Sequence, residues 1–222
     1  MDKDWYKKTK YLDEQGCWNE LYKQEKEKNT DDKSVWLNQD DINKYSGLTE
    51  IFLDILFDDL KIKSFVDVGC SDVIWQSKLK WDKASYLGLD IVNDIVKFNS
   101  KKYKHMSFKH SNLIEDECPK ADMVCVRNVL LHNSLDSCKK ILTNIKKSGS
   151  KYLLVSTDFT IDKNNDTSCI WATRRNLDIE PFNLLYPMAY FPEVLPSVKK
   201  PKAPNNYLGL YFVNRIPDYD NM

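Results

Sequence analysis

A glycine turn and a later aspartate stand at the ends of two apolar segments in the first half of the chain. The first segment, VDVGCSD, contains Gly69, and the second, YLGLD, ends at Asp90, 21 residues further on. Glycine lets a backbone turn tightly and approach a ligand, and the N-terminus of a following helix offers free N–H groups. An acidic side chain at this spacing can accept hydrogen bonds from ribose hydroxyls. The pair therefore predicts a site for a cofactor that contains adenosine.

The glycine pattern also bears on which adenosine cofactor the site takes. A dinucleotide fingerprint requires G-x-G-x-x-G around a pyrophosphate, and here only the first of these glycines is present. A cofactor without phosphates needs less of this glycine cradle. A nicotinamide dehydrogenase is therefore disfavoured, and preferential binding of NAD would be the observation that favours it.

Short apolar runs alternate with helical patterns over most of the chain, and these elements must position the two residues. The strand signals cover 64–69, 86–90, 105–112, 121–128, 152–159 and 207–216. Apolar runs without alternation are typical of strands buried on both faces, and strand–helix alternation favours an open doubly wound sheet. We therefore predict an α/β fold with a mostly parallel sheet, whose ligand site lies at the carboxyl ends of the strands.

The helix signals divide the chain into an extension and a domain. Helices are predicted over 46–63, with Ser46 or Thr49 as the cap, and over 72–80, 93–103 and 134–149, the last closed by Gly149. Residues 1–45 form a helical extension with one or two amphipathic helices, and 46–218 form the domain. Within it, 160–206 is a Pro- and Asn-rich insertion on the substrate side.

Composition narrows the class of protein. Lys and Arg together number 33, as do Asp and Glu, so the formal net charge is zero, which disfavours a polybasic binder of nucleic acid or membrane surfaces. No apolar run approaches the ~20 residues of a membrane span, and the N-terminus does not resemble a signal peptide. The six cysteines lack zinc-site spacing. We expect a cytoplasmic chain with reduced thiols.

Several sequence blocks resemble class I S-adenosylmethionine-dependent methyltransferases. SFVDVGCSDVIW and YLGLDIV are similar to the first two signature stretches of that family. YSGLTE, PKADMVCVRNVLLH, NIKKSGSKYLLVST and RRNLDIEPFNLLYP are similar to blocks of the subgroup associated with bacterial polysaccharide assembly and with the glycans of large DNA viruses. The blocks cover roughly residues 36–192 in order. The resemblance implies a seven-stranded Rossmann-like sheet, S-adenosylmethionine as cofactor, and the host cytoplasm as location if the chain is viral.

The resemblance also implies roles for single residues. The cofactor-binding positions are Ser46, Gly47, Asp67, Gly69, Cys70, Ser71, Asp90, Ile91, Asn112, Leu113 and Arg127. Ser46 and Gly47 would begin a loop that closes over the cofactor, while Asp67 and Gly69 would hold its amino-acid part. Asp90 would bind the ribose. Ile91 and the pair Asn112–Leu113 would contact the adenine, Cys70 would contribute its backbone alone, and Arg127 would lie near the methionine portion.

Three positions depart from the family pattern. Ser71 replaces the second glycine of the usual G-x-G, and Asn112 replaces an Asp but keeps an oxygen that can accept from the adenine amino group. Asn128 stands where the subgroup reads R-D-x-L-x-H, so a carboxylate is missing beside the reacting centre. If that carboxylate normally binds Mg²⁺ or orients the base, catalysis here is weak or metal-free.

Candidate acceptor-side residues follow the later strands. His132 stands four residues after Asn128, and a neutral imidazole can take the proton of a hydroxyl acceptor; a histidine that only caps a helix or lies in a loop is the alternative. Arg174 and Arg175 are candidate substrate-binding residues. Arg175 could bind the phosphate of a sugar nucleotide or sugar phosphate, or could form a surface ion pair with Asp178 or Glu180. Trp171 is a further substrate-side candidate, although tryptophans are more often part of the core.

These observations predict transfer of a methyl group to a hydroxyl of a sugar, sugar nucleotide or glycan, with His132 as general base. A phosphate-linked capsule substituent or a small metabolite is an alternative acceptor. A catalytically weak cofactor-binding scaffold is an alternative of another class, based on Ser71 and Asn128. Amino-methylation of nucleic acid is disfavoured because the fourth strand ends in VRNVLLH and not in an N/D-P-P-Y/F motif.

Overall fold

The computed structural model describes residues 12–28, 39–167, 171–193 and 207–221, and of residues 28 and 39–47 it describes the backbone only. The strands are β1 (Ser64–Val68), β2 (Ser85–Asp90), β3 (Ser107–His110), β4 (Met123–Val126), β5 (Tyr152–Thr157), β6 (Ala189–Pro192) and β7 (Tyr207–Phe212). The α-helices are α1 (Glu14–Lys28), α2 (Gln39–Asp59), α3 (Asn93–Lys102) and α4 (Leu135–Lys147).

The strands form one seven-stranded sheet in the order β3-β2-β1-β4-β5-β7-β6. The first five strands run parallel to one another. Val66 of β1, for example, lies beside Val124 of β4 on one side and beside Leu87 of β2 on the other. β7 runs antiparallel to both β5 and β6. Because β4 and β5 are buried along their whole length, their sequences are continuously apolar. The predicted mostly parallel, seven-stranded α/β fold is confirmed.

Helices cover both faces of the sheet. On one face, Val66 and Val126 pack with Ile141 and Ile145 of α4. The Ser134 hydroxyl accepts from the Ser137 N–H and caps that helix, as short polar side chains commonly do. On the other face, Phe65 and Met123 pack against Leu53, Leu56 and Phe57 of α2. The sheet therefore sits between two apolar clusters, with the ends of its strands free to form a site.

Helix α1 lies across the carboxyl edge of the sheet. The buried Tyr22 packs on Val92 and Ile95, just after β2, and a Glu14 carboxylate oxygen accepts from the Ser137 hydroxyl at 2.8 Å. The predicted N-terminal helix is therefore present and joined to the domain. Its successor α2 runs across residue 45, where we placed the division between extension and domain. Among the residues described, no helix is long and apolar enough to cross a membrane.

The structure corrects four predicted elements. The helix over 72–80 is a single 3-10 turn, Gln76–Lys78, because Val73 just before it has φ +58°. α2 begins at Gln39, so neither Ser46 nor Thr49 caps it. β6 lies inside the segment for which no regular structure was predicted. The strand predicted over 207–216 ends at Phe212 and continues as the 3-10 turn Val213–Arg215.

Candidate active site

The turn after β1 is tied to β2 by its own backbone. Gly69 has φ +69°, and the N–H groups of Gly69 and Cys70 both donate to the Leu89 carbonyl, at 2.8 and 3.0 Å. A Cβ at Gly69 would lie 2.5 Å from Val129 Cγ2, closer than real contacts allow. The position therefore requires glycine both for its left-handed backbone and for the approach of Val129.

Asp90 at the end of β2 holds the same turn from the side. One carboxylate oxygen accepts from the Ser71 N–H and the other from the Val92 N–H, both at 2.9 Å. Ser71 has φ +54°, a conformation that glycine adopts more easily, and it stands where the family pattern has its second glycine. Burial raises the pKa of Asp90 to about 6. Each carboxylate oxygen retains acceptor capacity for a further donor, such as a ribose hydroxyl.

A cavity of about 60 Å³ lies beside this turn. Its wall includes Gly69 and Val129 from the turns after β1 and β4, Ile91 after β2, and Asn112 and Leu113 after β3; Trp18 of α1 also lines it. The structure therefore brings five of the predicted cofactor residues together at one edge of the sheet, counting Asp90, which holds the turn. Trp18 and Val129 are among the lining residues that sequence reasoning did not assign.

Asp67 also stabilises the turn after β1. Its carboxylate is buried and accepts from Gln76 Nε2 at 2.7 Å and from the Tyr86 hydroxyl at 2.8 Å. Gln76 Nε2 also donates to the Cys70 carbonyl at 3.0 Å, so Asp67 holds the turn through Gln76. Burial raises the pKa of Asp67 to about 6, and its hydrogen bonds oppose that rise. Asp67 does not line the cavity, so it positions the turn.

No protein-family model matches the sequence, and no curated protein is significantly similar to it. Solved methyltransferase structures nevertheless share its architecture. The magnesium protoporphyrin IX methyltransferase of Synechocystis PCC 6803, solved with bound S-adenosylmethionine, gives a TM-score of 0.63 at 15% identity, covering 90% of this chain and 97% of that one. The methyltransferase domain of bacterial CtHen1-CN gives 0.57 at 11% identity, covering 76% and 99%.

The N-methyltransferase NodS of Bradyrhizobium japonicum WM9, in complex with S-adenosylhomocysteine, gives a TM-score of 0.55 at 12% identity, covering 89% of this chain and 99% of that one. The chain has the class I methyltransferase fold. At these identities the likeness shows the fold alone.

Asn128 and His132 follow β4 but do not share a helix. Asn128 has φ +57°, and its N–H and side-chain oxygen both pair with the Ser156 hydroxyl, at 2.9 and 3.2 Å. The regular segment that follows is only the 3-10 turn Leu130–His132. The imidazole of His132 is half-buried and meets the indole of Trp18 edge to face, with ring centroids 5.3 Å apart. His132 thus lies beside a residue that lines the cavity.

Arg127 does not line the cofactor cavity. Its guanidinium pairs with the fully buried carboxylate of Glu193 and lies 5.2 Å from the centre of the Trp75 ring. Asn112 is also engaged, because its side-chain oxygen accepts from the Ile114 N–H at 3.2 Å. The amide group of Asn112 keeps further hydrogen-bonding capacity at the cavity wall.

A second cavity, of about 260 Å³, lies at the carboxyl end of β5. Arg174 reaches it and pairs with Asp158 at 3.0 Å, a partner that was not predicted. Arg175 is buried, and its guanidinium donates to the Leu130, Asn133 and Asn165 carbonyls. These bonds leave it holding the loop and not facing a substrate phosphate.

The other predicted site residues lie in a loop before Arg174 and in helix α2. Trp171 is 48% exposed and lies in the loop before Arg174, so it is not part of the core. Ser46 and Gly47 belong to helix α2 and not to a loop, and only their backbone is described. Asp158 was missed, yet it directly follows the strand YLLVST, which is the position where ligand residues of such sheets are found. No cluster of three His, Cys, Asp or Glu side chains suited to a metal occurs in the described part of the chain.

Proposed function

We propose that this chain is an S-adenosylmethionine-dependent methyltransferase that methylates a hydroxyl group of a sugar or glycan. The proposal depends on one observation: the Gly69 turn, the buried Asp90 carboxylate and an apolar cavity lie next to one another. Three solved methyltransferases of this fold support it, two of them with S-adenosylmethionine or S-adenosylhomocysteine bound. The sugar acceptor is supported by the sequence resemblance.

The residues around the cavity fit such a cofactor. Asp90 can accept from ribose hydroxyls, and Ile91 and Leu113 offer apolar surface to an adenine ring. The raised pKa values of Asp67 and Asp90 reflect two buried carboxylates, which a nearby cationic group would stabilise in their ionised forms. Since ligand pockets typically enclose about 300–1,000 Å³, the cavity of 60 Å³ must widen to admit the cofactor.

The reaction requires the protein to position the acceptor and the cofactor and to accept one proton from the hydroxyl group. The cofactor would supply a methyl group on a cationic sulfonium: the acceptor oxygen forms the new C–O bond as the C–S bond breaks, and the sulfur leaves as a neutral thioether. His132 accepts the proton that the hydroxyl loses and later returns it to water. The protein holds acceptor and cofactor in line, which accounts for most of the acceleration in such displacements.

A cofactor-binding scaffold with little turnover is the second candidate. Two observations favour it: Asn128 carries no carboxylate beside the reacting centre, and the Arg127 guanidinium is paired with Glu193. Cofactor affinity without methyl transfer to any acceptor would distinguish this scaffold from an enzyme.

The test is formation of S-adenosylhomocysteine from S-adenosylmethionine with a panel of monosaccharides, glycosides and oligosaccharides, with and without Mg²⁺. We expect turnover that requires one class of sugar and falls by about 10²–10⁴-fold in His132→Gln. His105→Gln, at an exposed position beyond α3, is the matched control and should keep full activity. Equal activity of the two variants would exclude His132 as the base, and absence of turnover with intact cofactor binding would favour the scaffold.

A further inference from the structure

Asn112 lines the cofactor cavity, and the turn that follows β3 fixes the direction of its amide group. The side-chain oxygen accepts from the Ile114 N–H at 3.2 Å. If the amide were rotated by about 180°, its NH2 group would face that N–H and two donors would oppose each other. The oxygen is therefore held at the turn, and the NH2 group is the part of the amide that can meet a ligand.

The same turn leaves a second donor at the cavity wall. The N–H groups of Glu115 and Asp116 donate to the Asn112 carbonyl at 2.9 and 2.7 Å, but the Leu113 N–H has no acceptor among the residues that the structure describes. Leu113 lines the cavity beside Asn112. Within the described ranges the Asn112 NH2 group is also without an acceptor. Two adjacent groups on this wall can therefore donate hydrogen bonds to a ligand.

No carboxylate belongs to the described residues that line the cavity. Asp116, four residues after Asn112, accepts from the Ser111 hydroxyl at 2.9 Å and from the Asn112 N–H at 2.8 Å, and thereby stabilises the turn. Asp90 holds the turn after β1 and can accept from the ribose. The part of the wall formed by Asn112 and Leu113 therefore offers donors without an anionic acceptor beside them.

These donors match only part of the edge of an adenine ring. Adenine presents the acceptor N1 next to its 6-amino group, which is a donor. The Leu113 N–H can donate to N1, whereas the Asn112 NH2 group would oppose the amino group. An aspartate at position 112 could give one oxygen to the Ile114 N–H and the other to the amino group, but asparagine has a single oxygen. The hydrogen bond that would distinguish adenine from other purines is therefore missing.

We infer that the cofactor site does not select for the 6-amino group of adenine, and that it also binds purine cofactors whose 6-position carries hydrogen or an acceptor such as a methoxy group. The inference rests on the proposed function and deepens it, because it assigns Asn112 as the residue that sets specificity for the base. The carboxylate of Asp90 and the apolar surface of Ile91 do not depend on the 6-substituent, so they would hold each of these cofactors alike.

The test is calorimetric titration of the full chain with S-adenosylhomocysteine and with two analogues that keep N1 and replace the amino group by hydrogen or by a methoxy group. We expect the wild-type chain to bind both analogues within about threefold of S-adenosylhomocysteine. In Asn112→Asp the side chain gains an oxygen for the amino group, so S-adenosylhomocysteine should bind about tenfold more tightly than either analogue. Asn214→Asp adds the same charge at an exposed position just after β7, beside the start of β5, and should keep the wild-type ratios.

The ratio of affinities is a readout that a purely structural role of Asn112 would not move, because damage to the turn would weaken all three ligands alike. The inference is overturned if the wild-type chain prefers S-adenosylhomocysteine by about tenfold or more, or if Asn112→Asp leaves the ratios unchanged. Failure of the folded wild-type chain to bind S-adenosylhomocysteine overturns the proposed function as well, whereas strong selection for the amino group overturns this inference alone.

Discussion

The indole of Trp18 stands nearly perpendicular to the imidazole of His132, with an interplanar angle of 85° and ring centroids 5.3 Å apart. Trp18 belongs to helix α1, whereas His132 ends the turn after β4, so the contact joins the N-terminal helix to the centre of the sheet edge. The same indole lines the cofactor cavity. One side chain therefore covers both the cavity and the candidate base.

Removing this cover should weaken cofactor binding. Trp18→Ala deletes an aromatic wall of the cavity, and we expect affinity for S-adenosylhomocysteine to fall by about tenfold, mainly through faster dissociation. Trp171→Ala, at an exposed tryptophan on the acceptor side, is the matched control and should leave that affinity unchanged. Calorimetric titration measures both. Wild-type affinity in Trp18→Ala would show that the indole does not cover the bound cofactor.

The turn after β1 should tolerate only glycine. Gly69→Ala must hold a left-handed backbone and place a Cβ 2.5 Å from Val129 Cγ2, so we expect a loss of about 2–4 kcal/mol in the free energy of unfolding. Gly149→Ala has φ +66° with nothing within 4 Å and should lose only about 1 kcal/mol. Urea unfolding compares the two.

A double variant separates the two causes of that loss. In Gly69→Ala combined with Val129→Ala the steric conflict is gone, so the added cost of Gly69→Ala should shrink toward that of Gly149→Ala. Equal costs for the two single glycine variants would mean that contact with Val129 does not constrain the turn.

The buried Asp67 carboxylate should make the chain's stability depend on pH in a defined direction. Burial raises the native pKa of Asp67 to about 6, so the native state holds this proton more tightly than the unfolded state does. Its stabilising effect is present below the unfolded pKa of ~3.9 and is lost as the pH rises through about 6. Asp67→Asn avoids the buried charge, so its stability relative to wild type should improve by on the order of 1–3 kcal/mol between about pH 4 and pH 7.5.

A surface aspartate gives the opposite sign and serves as control. The hydrogen bond from Lys83 lowers the pKa of Asp58, so the stability of Asp58→Asn relative to wild type should decline as the pH rises through the unfolded pKa of ~3.9, and should stay constant at higher pH, where the Asp67→Asn difference still changes. Urea unfolding at several pH values measures both differences. A stability difference between Asp67→Asn and wild type that does not change with pH would contradict the assignment of a raised pKa to Asp67.

The adjacent arginines should differ sharply in their contribution to stability. Arg175→Met leaves three main-chain carbonyls without their donor and should cost about 3 kcal/mol or more. Arg174→Met removes an exposed partner of Asp158 and should cost about 1 kcal/mol. Thermal unfolding distinguishes them, and equal destabilisation would argue against a structural role specific to Arg175.

Much of the fold was predictable because the relevant information is local. Continuous apolar runs such as MVCV and YLLVST are what strands buried on both faces require, and Gly69 and Asp90 mark the ends of two of them. These two residues lie close together as predicted, because the Asp90 carboxylate accepts a hydrogen bond from the Ser71 N–H within the Gly69 turn.

The features that were missed depend on distant contacts. Burial of Arg175 follows from carbonyls at positions 130, 133 and 165, which the sequence does not bring together by any local pattern. The helix predicted over 72–80 is absent because Ser71 and Val73 adopt left-handed backbone conformations, which fit the turn and interrupt a helix. β6 is an edge strand of four half-buried residues that pairs only with β7, more than ten residues later in the chain.

The central claim is that the Gly69 turn and Asp90 form an S-adenosylmethionine site, and calorimetric titration of the purified chain with S-adenosylmethionine and S-adenosylhomocysteine tests it most directly. We predict saturable binding of both ligands, weakened by about 100-fold in Asp90→Ala and less in Asp90→Asn. Asp58→Ala, at an exposed aspartate on the opposite edge of the sheet, should bind as the wild type does. A folded wild-type chain that binds neither ligand, or an Asp90→Ala variant that binds as tightly as the wild type, would contradict the claim.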